Sequence, residues 1–180
     1  MRRLLSVFAA LSALAACQPE APPAAPAMPS QDYLVSGFER QKANLLQYVD
    51  AMPDSAWQFM PTPGVRSYAQ QLEHIASATT GIIRQLAAAP PAAPTLPADS
   101  VYLNNRDAMR TFVAGSFDDA IAVVRAMTET DLTSDHDLFG MTKTGWQWVI
   151  GVQEHTAWTL GATVPYLRLN GVTPPSYLPF

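Results

Sequence analysis

Four stretches of the chain repeat apolar residues at intervals of three and four, the period of one face of an α-helix, and no stretch alternates clearly enough to predict a strand. The first runs from about Asp32 to Met52. Ser30 is placed to cap its start, Phe38, Leu45, Val49 and Met52 share one stripe, and Pro53 ends it. The second runs from about Tyr68 to Leu86, opened by Ser67-Tyr-Ala-Gln70 in the form of a capping box, with Leu72, Ile75, Thr79, Ile82 and Leu86 along its apolar face. The third lies within Asn105–Met127, carrying Phe112, Phe117, Ile121, Val124 and Met127, and is weakened by Gly115 at about 1 kcal/mol relative to alanine. The fourth opens at Thr144-Gly-Trp-Gln147, a second capping box, and continues to Asn170, where Gly171 and then Pro174 and Pro175 stop it. Within it, Pro165 cannot donate to the carbonyl of Gly161, so a bend is expected one turn after Thr159. Four amphipathic helices joined by loops predict an all-α fold, a four-helix bundle over residues 31–180.

The polar and proline-rich stretches divide the rest. Ala87 to Pro97 carries four prolines and reads as a loop between the second and third helices. Pro19 to Pro29 carries five and reads as an extended, semi-rigid tether over residues 17–30. Ahead of it, Arg2 and Arg3 precede the apolar run Leu4 to Ala13 and the tetrapeptide Leu14-Ala-Ala-Cys17. The run is too short for a membrane helix of about 20 residues. It has instead the parts of a bacterial lipoprotein leader over residues 1–16, a basic start, an apolar middle and small residues at the cleavage point. On this reading Cys17 is acylated, becomes the N-terminus and anchors the protein to the membrane, each buried methylene contributing about 0.8 kcal/mol. Gln18 after the cysteine points to the periplasmic face of the outer membrane in a Gram-negative host.

Composition narrows the chemistry. The formal net charge is −4, and −6 once Arg2 and Arg3 leave with the leader. Lys42 and Lys143 are the only lysines and the arginines are dispersed, so no basic surface suggests nucleic acid. Cys17 is the only cysteine, and its acylation excludes structural disulfides, cysteine–zinc sites and thiolate catalysis.

The fourth helix carries the most informative spacing. Trp148, Val152, His155, Thr159, Ala162 and Tyr166 follow one another at four, three, four, three and four, which predicts one inward face and places His155 in the core. The second helix carries His74, with Ala78 and Gly81 leaving room for a helix or a ligand, so the two histidines are expected to meet. Trp146, Trp148 and Trp158 read as packing residues, Trp158 being placed to cover the site. His136 reads as a solvated loop histidine that a fold-over would bring to the site.

These strings are similar to the DinB/YfiT-like family. Leu72-Glu-His74-Ile-Ala76, Trp57 to Pro63, Glu154-His155, Tyr166-Leu-Arg-Leu-Asn-Gly171 and Pro174-Pro175 carry the resemblance, which spans roughly Gln31 to Tyr177. It implies a four-helix bundle in which one histidine of the second helix and two of the last, in an H-x-x-x-H pair, hold a divalent metal such as zinc or nickel. It also implies kinship with metal-dependent transferases and isomerases that use low-molecular-weight thiols. His74 and His155 match the first two ligands, but Thr159 stands in place of the third, and a neutral hydroxyl is a poor ligand for these metals. Glu73 and Glu154 lie about 100° around their helices from the histidines and are not expected to substitute. Two readings of the histidines follow: a hydrogen-bonded core pair, or a weakened metal site. Two functions follow in turn, a membrane-tethered bundle that binds a small ligand or an envelope partner, and a metal-dependent enzyme of the thiol-transferase type.

Overall fold

The computed structural model describes residues 27–179, so the leader 1–16, Cys17 and most of the 17–30 tether lie outside the described residues. Four long helices form the bundle: α1 (Gln31–Ala51), α2 (Tyr68–Leu86), α4 (Arg106–Ala126) and α6 (Gly145–Ala162). Short helices lie between them and after them, α3 (Asp99–Tyr102), α5 (Glu129–Thr133) and α7 (Val164–Leu169). The long helices begin where capping chemistry satisfies their free amides. Ser30 accepts from Tyr33 N–H at 3.2 Å, Asn105 from Ala108 N–H at 2.9 Å, and Ser67 and Gln70 bond reciprocally at 3.3 and 2.8 Å. At α6 the box is half made: Gln147 Oε1 accepts from Thr144 N–H at 3.1 Å, while Thr144 Oγ1 has no partner among the described residues.

α1 packs on α4 and α6, and α2 packs on the same two, so consecutive long helices α1 and α2 stand diagonally opposite and the connection 52–67 crosses an end of the bundle. The expected stripes are the core: Phe38, Leu45 and Val49 of α1 with Met52 just after it, Leu72, Ile75 and Thr79 of α2, and Phe117 and Val124 of α4 are fully buried. Among the described residues, every member of the buried core cluster lies between Leu34 and Leu167. Buried polar side chains fix the seams between helices. Tyr68 Oη donates to Tyr48 O at 2.6 Å, Gln153 Nε2 to Leu34 O at 2.6 Å, and the hydroxyls of Thr79 and Thr156 meet at 3.1 Å. After α7 the chain returns along α1, where Asn44 exchanges two hydrogen bonds with the backbone of Leu178.

Three expectations need correction. The fourth helix is two: α6 stops at Ala162, Thr163 caps it with its hydroxyl donating to Leu160 O at 2.7 Å, and α7 restarts with Pro165 in its first turn, the place where a missing N–H costs nothing. The segment expected to lack strands contains a hairpin, β1 (Asp135–Leu138) antiparallel to β2 (Met141–Thr144), joined by Phe139 and Gly140 at φ +53° and +75°. Positive φ at both turn residues matches the right-handed twist of the strands. His136 is therefore a strand residue, half-buried, with Nε2 2.9 Å from Asp131 O.

Candidate functional site

α2 and α6 are neighbours in the bundle, and each presents one histidine at the edge of their shared seam. The rings of His74 and His155 meet edge to face, centroids 5.3 Å apart and planes 82° from parallel. Both are half-buried, which corrects the expectation of a core His155: the innermost line of α6 runs through Trp148, Val149, Val152, Gln153, Thr156 and Thr159, and His155 stands beside Thr156 at its margin. Ala162 of the expected inward face is exposed. Nor do the two imidazoles hydrogen-bond to each other. His155 Nε2 lies 3.4 Å from Thr159 Oγ1, a long contact, and the buried Nδ1 has no partner among the described residues. Trp158, at 76% exposure, stands over the pair with its ring centroid 6.5 Å from that of His155.

Burial is the main cause that pushes both histidines below the usual imidazole pKa, and the guanidinium of Arg66 pushes both further. For His74 the neighbouring His155 adds to this, while Glu73 opposes it. The pair is thus held neutral in water near neutrality, each ring offering one donor and one acceptor.

The histidines form the shared wall of two clefts. On one side lies a cleft of about 430 Å³ whose other walls are Ala78 and Ile82 of α2, Trp148, Gly151 and Val152 of α6, and Phe139 and Met141 of the hairpin. Its lining is almost wholly apolar. Phe139 leans on Trp148 with ring centroids 6.1 Å apart, and Trp148 Nε1 donates to His136 O at 3.0 Å, so the hairpin is fastened to α6 at the cleft mouth. On the other side is a smaller cleft of about 160 Å³ of mixed character, lined by Arg66, Gln71, Trp158, Thr159 and Ala162. Gln71 Nε2 donates to Tyr166 Oη at 3.2 Å, which donates to Arg66 O at 2.9 Å and so holds the backbone of Arg66 beside the site.

The residues present do not compose a three-imidazole metal site. The position of a third nitrogen is held by the Thr159 hydroxyl, and among the described residues no three His, Cys, Asp or Glu side chains converge where an ion would sit. Glu154 is exposed, and His136 is bound to Asp131 of α5. The sequence pattern paired His74 with His155 and Thr159 with His155 and brought Ala78, Trp148, Val152, Trp158 and Ala162 to their surroundings, but it missed Arg66, Gln71, Phe139, Met141 and Gly151. Ile82, on the expected apolar face of α2, lines the cleft, whereas its neighbour Ile83 is fully buried. Arg66 precedes α2 without a motif around it. Phe139 and Met141 were invisible without the hairpin, for which the one available signal was a glycine between two apolar residues, Leu138 and Met141.

No curated protein matches this chain. Among solved structures, it is similar to a DinB-like protein, YjoA of Bacillus subtilis, with a TM-score of 0.61 at 20% identity over 81% of this chain and 97% of that one. That likeness speaks for the all-α bundle fold. A family model described as the DinB superfamily matches residues 37–157, from α1 through both histidines. A match over this much of the sequence, carried on a bundle of the same architecture, shows that the chain belongs to the DinB superfamily.

Proposed function

We propose that this chain is a membrane-tethered member of the DinB superfamily whose α2–α6 site holds a small ligand rather than a catalytic metal. One observation carries the reading: an apolar cleft of about 430 Å³ that ends on two neutral imidazoles. Small-molecule sites are built this way, with apolar walls and a few polar groups that set orientation. His155 Nδ1 is buried with no partner among the described residues, which costs about 1–3 kcal/mol at the wall of the cleft. The tether follows from the leader pattern that ends at Leu14-Ala-Ala-Cys17, which would place the site at the cell envelope, on the periplasmic face of the outer membrane. Among the described residues no helix is long and apolar enough to cross a membrane.

The alternative, a zinc- or nickel-dependent enzyme of the thiol-transferase type, draws support from the closeness of the two histidines at 5.3 Å. It lacks the third imidazole, and Thr159 sets the ligand-binding reading ahead of it. The test uses residues 17–180 with Cys17→Ser, which keeps the whole core and removes the lipid. Titration with octan-1-ol, followed by tryptophan fluorescence, should give a saturable change, because Trp148 walls the cleft and Trp158 stands beside it. A linear, non-saturating response would defeat the reading.

A further inference from the structure

The two clefts on either side of the histidine pair differ in character, and together they describe the molecule that fits them. The apolar cleft is lined by Ile82, Trp148, Val152 and the hairpin residues Phe139 and Met141, and offers little to a polar group except the imidazoles. Across the pair, the smaller cleft presents Arg66, Gln71 and Thr159. Arg66 differs from four of the seven arginines among the described residues. Arg84, Arg106, Arg110 and Arg125 each face a carboxylate in an ion pair, with Asp119, Asp54, Asp50 and Glu39. Arg66 has no carboxylate within 4.0 Å among the described residues, although its backbone is fastened to Tyr166 at the site. A guanidinium presents a planar fork that matches a carboxylate at two points, and such charge-assisted bonds are about twice as strong as neutral ones.

Resting on the small-ligand reading above, we infer that the ligand is a single-chain amphiphile with a terminal carboxylate: its apolar chain lies in the cleft walled by Ile82, Phe139, Met141 and Trp148, its chain crosses the edge of the histidine pair, and its head group binds Arg66 with Gln71 beside it. Charge complementarity chooses the sign of the head. Among the described residues the smaller cleft is lined by Arg66 and by no carboxylate, and Glu73, which acts on His74, does not line it. A cationic head would meet Arg66 with repulsion, and a neutral head would leave the guanidinium unpaired. Nothing covalent is involved; the inference concerns recognition alone.

The experiment compares three probes of one chain length on residues 17–180 with Cys17→Ser, octanoate and octyltrimethylammonium below their micelle concentrations and octan-1-ol below its aqueous solubility. Tryptophan fluorescence and isothermal calorimetry report dissociation constants. Octanoate is expected to bind at least tenfold more tightly than octan-1-ol, and octyltrimethylammonium more weakly than either. Arg66→Gln should bring octanoate down to the affinity of octan-1-ol, and Arg66→Lys, which keeps the charge without the fork, should retain part of the preference. The side chain of Arg66 is exposed and the bond to Tyr166 uses its backbone, so neither substitution threatens folding. Saturable binding of all three probes with equal affinity overturns the carboxylate inference and leaves the small-ligand reading standing. Tight binding of octanoate that survives Arg66→Gln unchanged also overturns it. Failure of octan-1-ol and octanoate alike to saturate removes the small-ligand reading and this inference with it.

Discussion

Gly151 is the seventh residue of the 18-residue helix α6, and it lines the cleft beside Trp148 and His155. Its backbone is not in the left-handed region, and a Cβ built on it meets no atom within 4 Å, so neither conformation nor crowding requires a glycine there. Within a helix, glycine costs about 0.8–1.0 kcal/mol relative to alanine. Gly151→Ala should therefore raise stability by about 1 kcal/mol, an increase in Tm of roughly 2–4 °C for a domain of this size. Gly151→Leu should keep most of that gain while its side chain occupies the cleft, so stability and binding should move in opposite directions, the pattern expected where a site is kept open at the expense of the fold. Gly145 provides the contrast. A Cβ there would stand 2.0 Å from the carbonyl oxygen of Asp131 and 3.1 Å from Leu132 Cα, backbone atoms that give way only if α5 separates from α6. Gly145→Ala should cost about 1–3 kcal/mol, the usual penalty of overpacking. Thermal unfolding followed by circular dichroism, together with octan-1-ol titration, measures both effects. A lowered Tm for Gly151→Ala, or octan-1-ol binding by Gly151→Leu as tight as by the unsubstituted chain, would refute the reasoning.

Both histidines titrate lower in the folded protein than in the unfolded chain, chiefly through burial and secondly through Arg66. The unfolded chain then binds protons near pH 6.5 that the folded one does not, so stability should be level above pH 7 and decline as pH falls through 6.5 toward the lower folded values. His155→Leu should flatten that decline, as read from urea midpoints between pH 7.5 and 5; an undiminished slope would show that His155 is not its source. Zinc or nickel should bind the natural chain weakly, and Thr159→His should tighten binding markedly by adding an imidazole one turn from His155; stoichiometric tight binding by the natural chain in calorimetry would contradict this. Cys17→Ser should abolish acylation and leader processing, which mass spectrometry of the mature protein decides, an unmodified Cys17 thiol being the contrary result.

The long helices and, except for the C-terminal end of α6, their ends were legible in the residues because the causes are local. Ser67 and Gln70 bond within three residues of each other, Pro53 and Pro165 act on the turn before them, and the three- and four-residue spacing of Phe38, Leu45 and Val49 needs no partner to be recognised. The pairing of His74 with His155 was also legible, through resemblance and helical phase. Depth was not: one residue is about 100° of helix, so the sequence alone could not separate Thr156, fully buried, from His155 at the margin, or Ile83 from Ile82. The hairpin was beyond reach because strands of four residues carry too little alternation, and Phe139 holds a positive φ that bulky side chains rarely adopt. Tertiary packing alone set that hairpin against Trp148 and brought Arg66 beside histidines 8 and 89 positions further along the chain. The helices follow from interactions between near neighbours in sequence, whereas the cleft and its charged end exist only where distant segments are folded against one another.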